Sequence, residues 1–443
     1  MKNLSGWNRV VFCALIFAAR SHAQTRTGSS FTKPELALLT QCEALEHRFD
    51  RRALLFHDTM LDQHLAGAAT PLLPDLPPTH VHWRFLVLRD PLVNSFSLPD
   101  GTVYLSTGLL SLLENDDQLA SVLAHEIAHV TNGDAFAFQR EYRKKETVRS
   151  VTTLAAVASS SVLGGGIAAL LAPDLLAEAI VAEGGRPIQL WITSGYGDEA
   201  EHIADQAALG LLARAGRDPG QLARSLDLMN DPLDELPVLT FAADRAKLRQ
   251  RLTGLQTQPA ASRAVDGKSY FAAAENAIRE NITMDIDSRR FRTAVASARR
   301  IQTAHPVDAR ALYVLGEAYR VLGPRTAEPS AEERSPEGRR AAVKNFASRT
   351  AEEEDKILAA TPPGRAARDS NWKKTEALFQ EASHLDPQLA DPHRGLGVLY
   401  SEQNRIDEAR VQYREYLEMS PTAPDRLQIE NRLAALDHPG TAH

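Results

Sequence analysis

The five residues His125-Glu126-Ile127-Ala128-His129 lie within a run, Leu119 to Val130, whose apolar residues recur at helical spacing. Positions four apart on a helix share one face, a turn apart, so the spacing predicts two imidazoles side by side. Such a pair can ligate one tetrahedral metal ion. Glu126, one step round from His125, can reach a metal-activated water without binding the metal, take its proton, and later give one to a leaving amine. Leu119, Ala120, Val122, Leu123 and Ile127 give the same helix a face that must be buried. The fold therefore has to enclose this helix and bring a further ligand to it. For the five residues alone, a helix with two incidental histidines is the alternative.

A catalytic zinc keeps three protein ligands and leaves the fourth position to water. The best candidate for the third is Glu201, in Glu201-His202-Ile203-Ala204-Asp205 on a helix predicted over 198–215. Asp205, four residues on, can hydrogen-bond a ligand imidazole N–H and orient it. Asp198, Glu199 and His202 compete with Glu201 on spacing alone.

At about 150 residues per domain, 443 residues make two or three domains. The start is an address: Lys2 and Arg9, an apolar stretch from Val10 to Ala19, then Ser21-His22-Ala23, which predicts a signal peptide cleaved after Ala23. An uncleaved anchor is the alternative. After cleavage only Cys42 of the two cysteines remains, which excludes an intrachain disulfide and a Cys-rich zinc fold and reads as a small core residue. The formal net charge of −7 argues against nucleic acid as a partner.

Residues 32–66 have helical apolar spacing. His80 to Leu88 reads as a strand, and Asn94–Leu98 and Thr102–Ser106 pair across Pro99-Asp100-Gly101 as a small β hairpin. Residues 107–133 read as helix with a break at Asn115-Asp116-Asp117. The uncharged, Gly-broken segment 151–173 reads as a bent helical hairpin packed on the domain or touching a membrane surface, with a span as the alternative. Beside it, Arg140, Arg143, Lys144 and Lys145 are either a solvated helix face or a peripheral contact for anionic headgroups. Thr257 to Ser262 reads as a linker.

Beyond it the sequence repeats. Pro306, Gly316 and Tyr319 recur as Pro387, Gly397 and Tyr400, and Pro387 to Pro421 is 34 residues. With Leu396 and Ala409, these positions resemble the tetratricopeptide pattern, in which small residues let paired helices approach, aromatics fill between them and Pro ends each second helix. Residues 324–370 interrupt the pattern as a polar, mobile insertion. A generic helical bundle is the alternative for the whole region.

Taken together, Asn94-x-Phe96-x-Leu98-Pro99-x-Gly101, Thr107-Gly108-Leu109-Leu110, His125-Glu126-x-x-His129 and Glu201-x-x-Ala204-Asp205 resemble the M48 zinc peptidases over about residues 32–250. With the added repeats, the chain is similar to periplasmic members that act in envelope protein quality control. The resemblance implies one Zn2+ per chain held by His125, His129 and Glu201, Glu126 as general base, and Asp205 behind the ligands. It implies a cleft bordered by Asn94–Leu98, where an extended substrate could add to the strand edge; hairpin packing is the alternative for Asn94 and Phe96. The chain departs from the family's pattern at three places. Gly197-Asp198 replace a frequent Ser-Arg, Gly133-Asp134 replace a frequent Arg-His, and Thr240-Phe241-Ala242 replace a Thr-His-Pro segment whose histidine could cap the zinc.

The expected architecture is mainly α (α+β). A signal peptide (1–23) precedes a zincin-type metallopeptidase domain with a small β hairpin (24–255), a linker (256–267) and tetratricopeptide-like helical repeats (268–437) with their insertion at 324–370. The expected function is an exported, periplasmic zinc endopeptidase, possessing protein or peptide substrates and a protein partner on the repeats. The alternative is a chaperone-like adaptor with a latent site.

Overall fold

The computed structural model describes residues 31–75, 80–149, 188, 190–192, 195–230, 233, 245–255 and 267–437. The signal peptide, the uncharged segment 151–173, Thr240-Phe241-Ala242 and all of the 256–267 linker but Gly267 lie outside them.

Helix α1 (Lys33–Arg51) starts with a capping box between Thr32 and Glu35, and buries Leu38, Cys42, Leu45 and Phe49 along one stripe. The helical spacing expected over 32–66 is interrupted. Ala53 takes a positive φ of 54°, a short strand β1 (Leu55–Phe56) follows, and the Asp58 carboxylate accepts from the N–H groups of Met60 and Leu61 to start helix α2 (Thr59–Ala69).

The expected hairpin is part of a larger sheet. Strands β2 (Arg84–Leu88), β3 (Ser95–Ser97) and β4 (Thr102–Ser106) join β1 in the order β1-β2-β4-β3. β3 and β4 are antiparallel, Phe96 opposite Tyr104, while β2 runs parallel to β4 and antiparallel to β1. Gly101 turns the hairpin at φ 94°, where an added Cβ would stand 2.7 Å from the Val81 side chain. β3 is an edge strand and β4 is buried throughout.

β4 runs into helix α3 (Thr107–Leu112), whose first turn is capped by Ser106. Asn115 caps helix α4 (Asp116–Asn132), accepting from the N–H groups of Asp117 and Gln118. Every residue of α4 from Asp117 to Val130 is buried, so this helix is the centre of the domain rather than a surface element. Gly133 ends it in the left-handed conformation (φ 70°, ψ 31°), and helix α5 (Asp134–Arg149) leaves in a new direction. Helices α6 (Asp198–Arg214), α7 (Gly220–Asn230) and α8 (Arg245–Leu255) complete the unit, with α6 and α7 against α4 and α8 against α7.

The C-terminal region is helical. Helix α9 (Lys268–Asp287) docks on α3: the Tyr270 hydroxyl donates to the Leu110 carbonyl at 2.6 Å, and Thr107 donates to Asn281 Oδ1 at 2.8 Å. One continuous apolar core runs from α2 and α4 through α9 into helices α10 (Phe291–Ala304) and α11 (Ala309–Leu322).

Residues 324–370, expected as a polar, mobile insertion, are largely helical. They form helices α12 (Pro336–Ser348) and α13 (Ala351–Ala360) and the first turns of α14 (Pro362–Leu385). Thr350 and Glu353 make a capping box at α13. Arginines before the insertion and at its start take its acids: Arg289 pairs with Glu354 at 2.6 Å, Arg292 with Glu333 at 2.5 Å, and Arg325 with Asp355. Within the acidic run Glu352–Asp355, Glu354 and Asp355 face guanidinium groups, while Glu352 and Glu353 are exposed.

Past the insertion, α14 packs on α11 as its antiparallel partner, followed by α15 (Asp391–Glu402), α16 (Ile406–Met419) and α17 (Arg426–Asp437). Glycines set the helix spacing. Phe379 of α14 lies between Gly316 of α11 and Gly395 of α15, and a Cβ on either glycine would stand 2.5 or 2.6 Å from its ring. Gly397 meets Tyr413 of α16 in the same way at 2.5 Å. Among the described residues, no helix is long and apolar enough to cross a membrane.

Candidate metal centre

α4 places His125 and His129 on one face, and α6 crosses it carrying Glu201 and Asp205. The Nε2 atoms of His125 and His129 are 3.0 Å apart, and Glu201 Oε2 is 3.3 and 3.6 Å from them. Bonds of about 2.0 Å to a tetrahedral zinc hold ligand atoms about 3.3 Å apart, so this triangle has the edge lengths the ion imposes. All three residues are buried, and Glu201 Oε2 accepts no hydrogen bond. A buried carboxylate oxygen calls for positive charge beside it; the Arg251 guanidinium, 3.4 Å away, is one source, and a metal ion held with the two imidazoles would be another. The donor set, two imidazoles and a carboxylate, suits zinc.

Other groups contact each of the three. Asp205 Oδ1 is 3.0 Å from His125 Nδ1. Asp134 Oδ2 is 2.7 Å from His129 Nδ1. The Tyr196 backbone N–H donates to Glu201 Oε1 at 3.0 Å, and its ring packs 4.7 Å from that of His129. Arg251 of α8 grips Asp205 with two bonds, Nε to Oδ2 at 2.8 Å and Nη2 to Oδ1 at 2.6 Å, and sets Nη1 3.4 Å from Glu201 Oε2.

Burial disfavours charge on Asp205 and Glu201, yet both carboxylates stay ionised. Burial would raise the Asp205 pKa, but His125 and Arg251 outweigh it and hold it at about 2. His125 and His129 likewise keep Glu201 well below the usual range against its own desolvation. Burial opposes protonation of His129, but Asp134 and Glu201 push its pKa up to about 10. The acids around the two imidazoles thus favour positive charge at this site.

Glu126 lies beside the triangle, outside it. Its Oε1 accepts from Ser95 Oγ of β3 at 2.8 Å, so the edge strand runs alongside this carboxylate. Asn94 and Phe96 are buried, Phe96 stacked 4.9 Å from Tyr104. The rivals on spacing do not converge: Asp198, Glu199 and His202 all lie on the exposed side of α6. Gly197 precedes that helix at φ 107°, a conformation that excludes most side chains.

Four contributors escape sequence reasoning. Asp134 is recognisable only as an acid directly after a helix-ending glycine. Ser95 is one small polar residue in a strand. Tyr196 acts through its backbone. Arg251 is 46 residues from Asp205, with no local pattern linking them.

The chain is similar to the putative beta-barrel assembly-enhancing protease of Vibrio cholerae, 30% identical over 177 residues, which are 40% of this chain and 34% of that protein. It is 25% identical to the beta-barrel assembly-enhancing protease of Escherichia coli K12 over 179 residues, again 40% of this chain and 34% of the relative. The match thus spans about a third of the length of these bacterial relatives. The mitochondrial metalloendopeptidase OMA1 of Schizosaccharomyces pombe is 33% identical over 87 residues, 20% of this chain and 25% of that protein. Residues 61–310, more than half of the chain, match the sequence profile of Peptidase family M48, and the chain belongs to that family.

Proposed function

We propose that the chain is an exported zinc-dependent endopeptidase that hydrolyses unfolded or misassembled envelope proteins in the periplasm. The observation that carries this is the triangle of His125 Nε2, His129 Nε2 and the undonated Glu201 Oε2, at tetrahedral-ligand spacing. His125, His129 and Glu201 would hold one zinc, which would supply Lewis acidity to a water and to the peptide carbonyl. Glu126 takes the proton from the attacking water and delivers one to the leaving amine nitrogen. The Ser95 hydroxyl holds Glu126 Oε1 and leaves Oε2 for that transfer. An extended substrate lies along β3, an edge strand among the described residues, and bonds to its main chain. Asp205 fixes the tautomer of His125.

The helical region after residue 268, read as tetratricopeptide-like repeats, recruits a protein substrate or docks the enzyme on a partner. The names of the bacterial relatives support an envelope substrate, and the basic N-terminal segment supports export. Arg140, Arg143, Lys144 and Lys145, exposed on α5, offer a peripheral contact to anionic headgroups.

The test is a matched pair. Zinc content and casein cleavage are measured on the purified chain and its Glu126→Gln variant. One zinc in each with cleavage only by the parent is the expected result. Zinc without cleavage by either favours the adaptor reading, and no zinc in either overturns the ligand set.

A further inference from the structure

The metal-site reading leaves one contact without a role. Asp134 is the first residue of α5, and its Oδ2 lies 2.7 Å from Nδ1 of His129. Had α4 continued, a residue five positions on would point about 140° away from His129. The left-handed turn at Gly133 breaks the helix and brings the Asp134 carboxylate back over the imidazole. An added Cβ on Gly133 would meet nothing within 4 Å, so the glycine is required by its φ of 70° and not by space. The chain thus places a glycine where only the backbone turn needs it, and the turn delivers an acid to a ligand.

We propose that Asp134 is a positioning residue for the metal centre, fixing His129 as Asp205 fixes His125. The proposal rests on the reading of His125, His129 and Glu201 as metal ligands. The carboxylate accepts the Nδ1–H of His129, which selects the tautomer with its lone pair on Nε2, locks the ring's orientation and makes that nitrogen a stronger donor. Both imidazoles then carry a carboxylate on the nitrogen facing away from the ion. The two acids differ in one respect. Asp205 shares its charge with the bidentate Arg251, whereas the ion pair of Asp134 is with His129 alone among the described residues. Asp134 is also largely enclosed, its side chain 13% exposed, so water competes weakly for the contact.

The experiment measures zinc affinity of the full chain by competition with a chromophoric chelator, for the parent and for Asp134→Asn, Asp134→Ala and Glu141→Gln. Glu141 lies on the same helix, is 58% exposed and pairs with Lys144, so its variant controls for loss of one negative charge nearby. Asp134→Asn keeps the shape and the helix start. Thermal melts of the metal-free proteins read structure, and the visible spectrum of the cobalt-loaded proteins reads ligand orientation. The expected result is affinity about 10–100-fold weaker in Asp134→Ala and less so in Asp134→Asn. Cobalt bands should shift, metal-free melts should match the parent, and Glu141→Gln should bind as the parent does. Parent-like affinity and spectrum in both Asp134 variants would overturn the proposal while the metal site stands. An equal loss in Glu141→Gln would overturn it too, because the effect would then be long-range charge. If Asp134→Ala melts early, Asp134→Asn alone decides, by the same affinity and spectrum. A parent that binds no zinc fails the metal reading itself, a distinct outcome.

Discussion

The metal centre and the C-terminal helices are both tightly packed, but by different forces. Around the centre, His125, Glu126, His129, Glu201 and Asp205 are each less than a tenth exposed, so charged groups are enclosed and must satisfy one another. Around Phe379 and Tyr413 the close contacts are rings against glycine backbones. The first arrangement is decided by where donors and acceptors point, the second by volume. Substitutions that change charge without changing shape should therefore act on the centre and spare the Phe379 and Tyr413 contacts, and substitutions that change volume should do the reverse.

The largest effect expected is on chemistry. Glu126→Gln is nearly isosteric and keeps an oxygen for the Ser95 hydroxyl, yet it removes the proton acceptor. Turnover on casein should fall by about 10²–10⁴-fold, with zinc content and melting temperature unchanged. A variant that retained activity would break the charge side of the comparison.

Phe379→Ala should act only on stability. The ring is fully buried between two glycines that cannot move in to fill the space, so its removal should cost about 3–5 kcal/mol in denaturant unfolding of the C-terminal helices. Zinc affinity should not change, because Phe379 belongs to an apolar cluster separate from the core that contains α4. A fall in zinc affinity would show that the two regions are coupled. Gly397→Val tests the same packing from the other side. Its side chain would drive into the Tyr413 ring, at a cost of about 1–3 kcal/mol.

Gly133→Ala joins the two kinds of effect. Holding an L-residue in the left-handed region costs about 1–2 kcal/mol, and relaxing the turn moves Asp134 off His129. A modest drop in melting temperature together with weaker zinc binding is expected.

The smallest effect is electrostatic and lies on the insertion. Burial would raise the pKa of Glu333, but the Ser330 backbone N–H and the Arg292 guanidinium outweigh it and lower it. A lowered folded-state pKa gives stability that is present above the unfolded value, about 4.3, and is lost as pH falls through the folded value. The melting difference between the parent and Glu333→Gln should be seen at pH 6 and should close below pH 4. A difference that persisted at low pH would mean the contact is held by shape.

The legible parts of the molecule are those whose partners are near in sequence. Helix α4, its Asn115 cap and the two histidines follow from local spacing, as do the β3–β4 hairpin and α6. β1 has two residues and carries no periodicity, and the parallel pairing of β2 with β4 needs β3 to be placed elsewhere first. The acids of the insertion look solvated because their arginines, Arg289, Arg292 and Arg325, lie about 30–65 residues away. The capping box at Thr350 and Glu353 is local and does announce α13. At the centre, residue type and spacing bring Glu201 level with His202, Glu199 and Asp198, and only the face that α6 turns toward α4 separates them.

The sequence by itself determined a buried helix with two imidazoles and a carboxylate, a second helix with acids four apart, and a recurring Pro, Gly and Tyr pattern. These are short-range properties, set by rotation per residue and side-chain chemistry. Tertiary structure alone decided which acid meets the imidazoles, that Arg251 grips Asp205, and that the turn at Gly133 carries Asp134 onto His129. It also decided that α9 shares the core of α4. Each of these depends on the directions in which helices leave their turns and cross, and a one-dimensional pattern does not record direction.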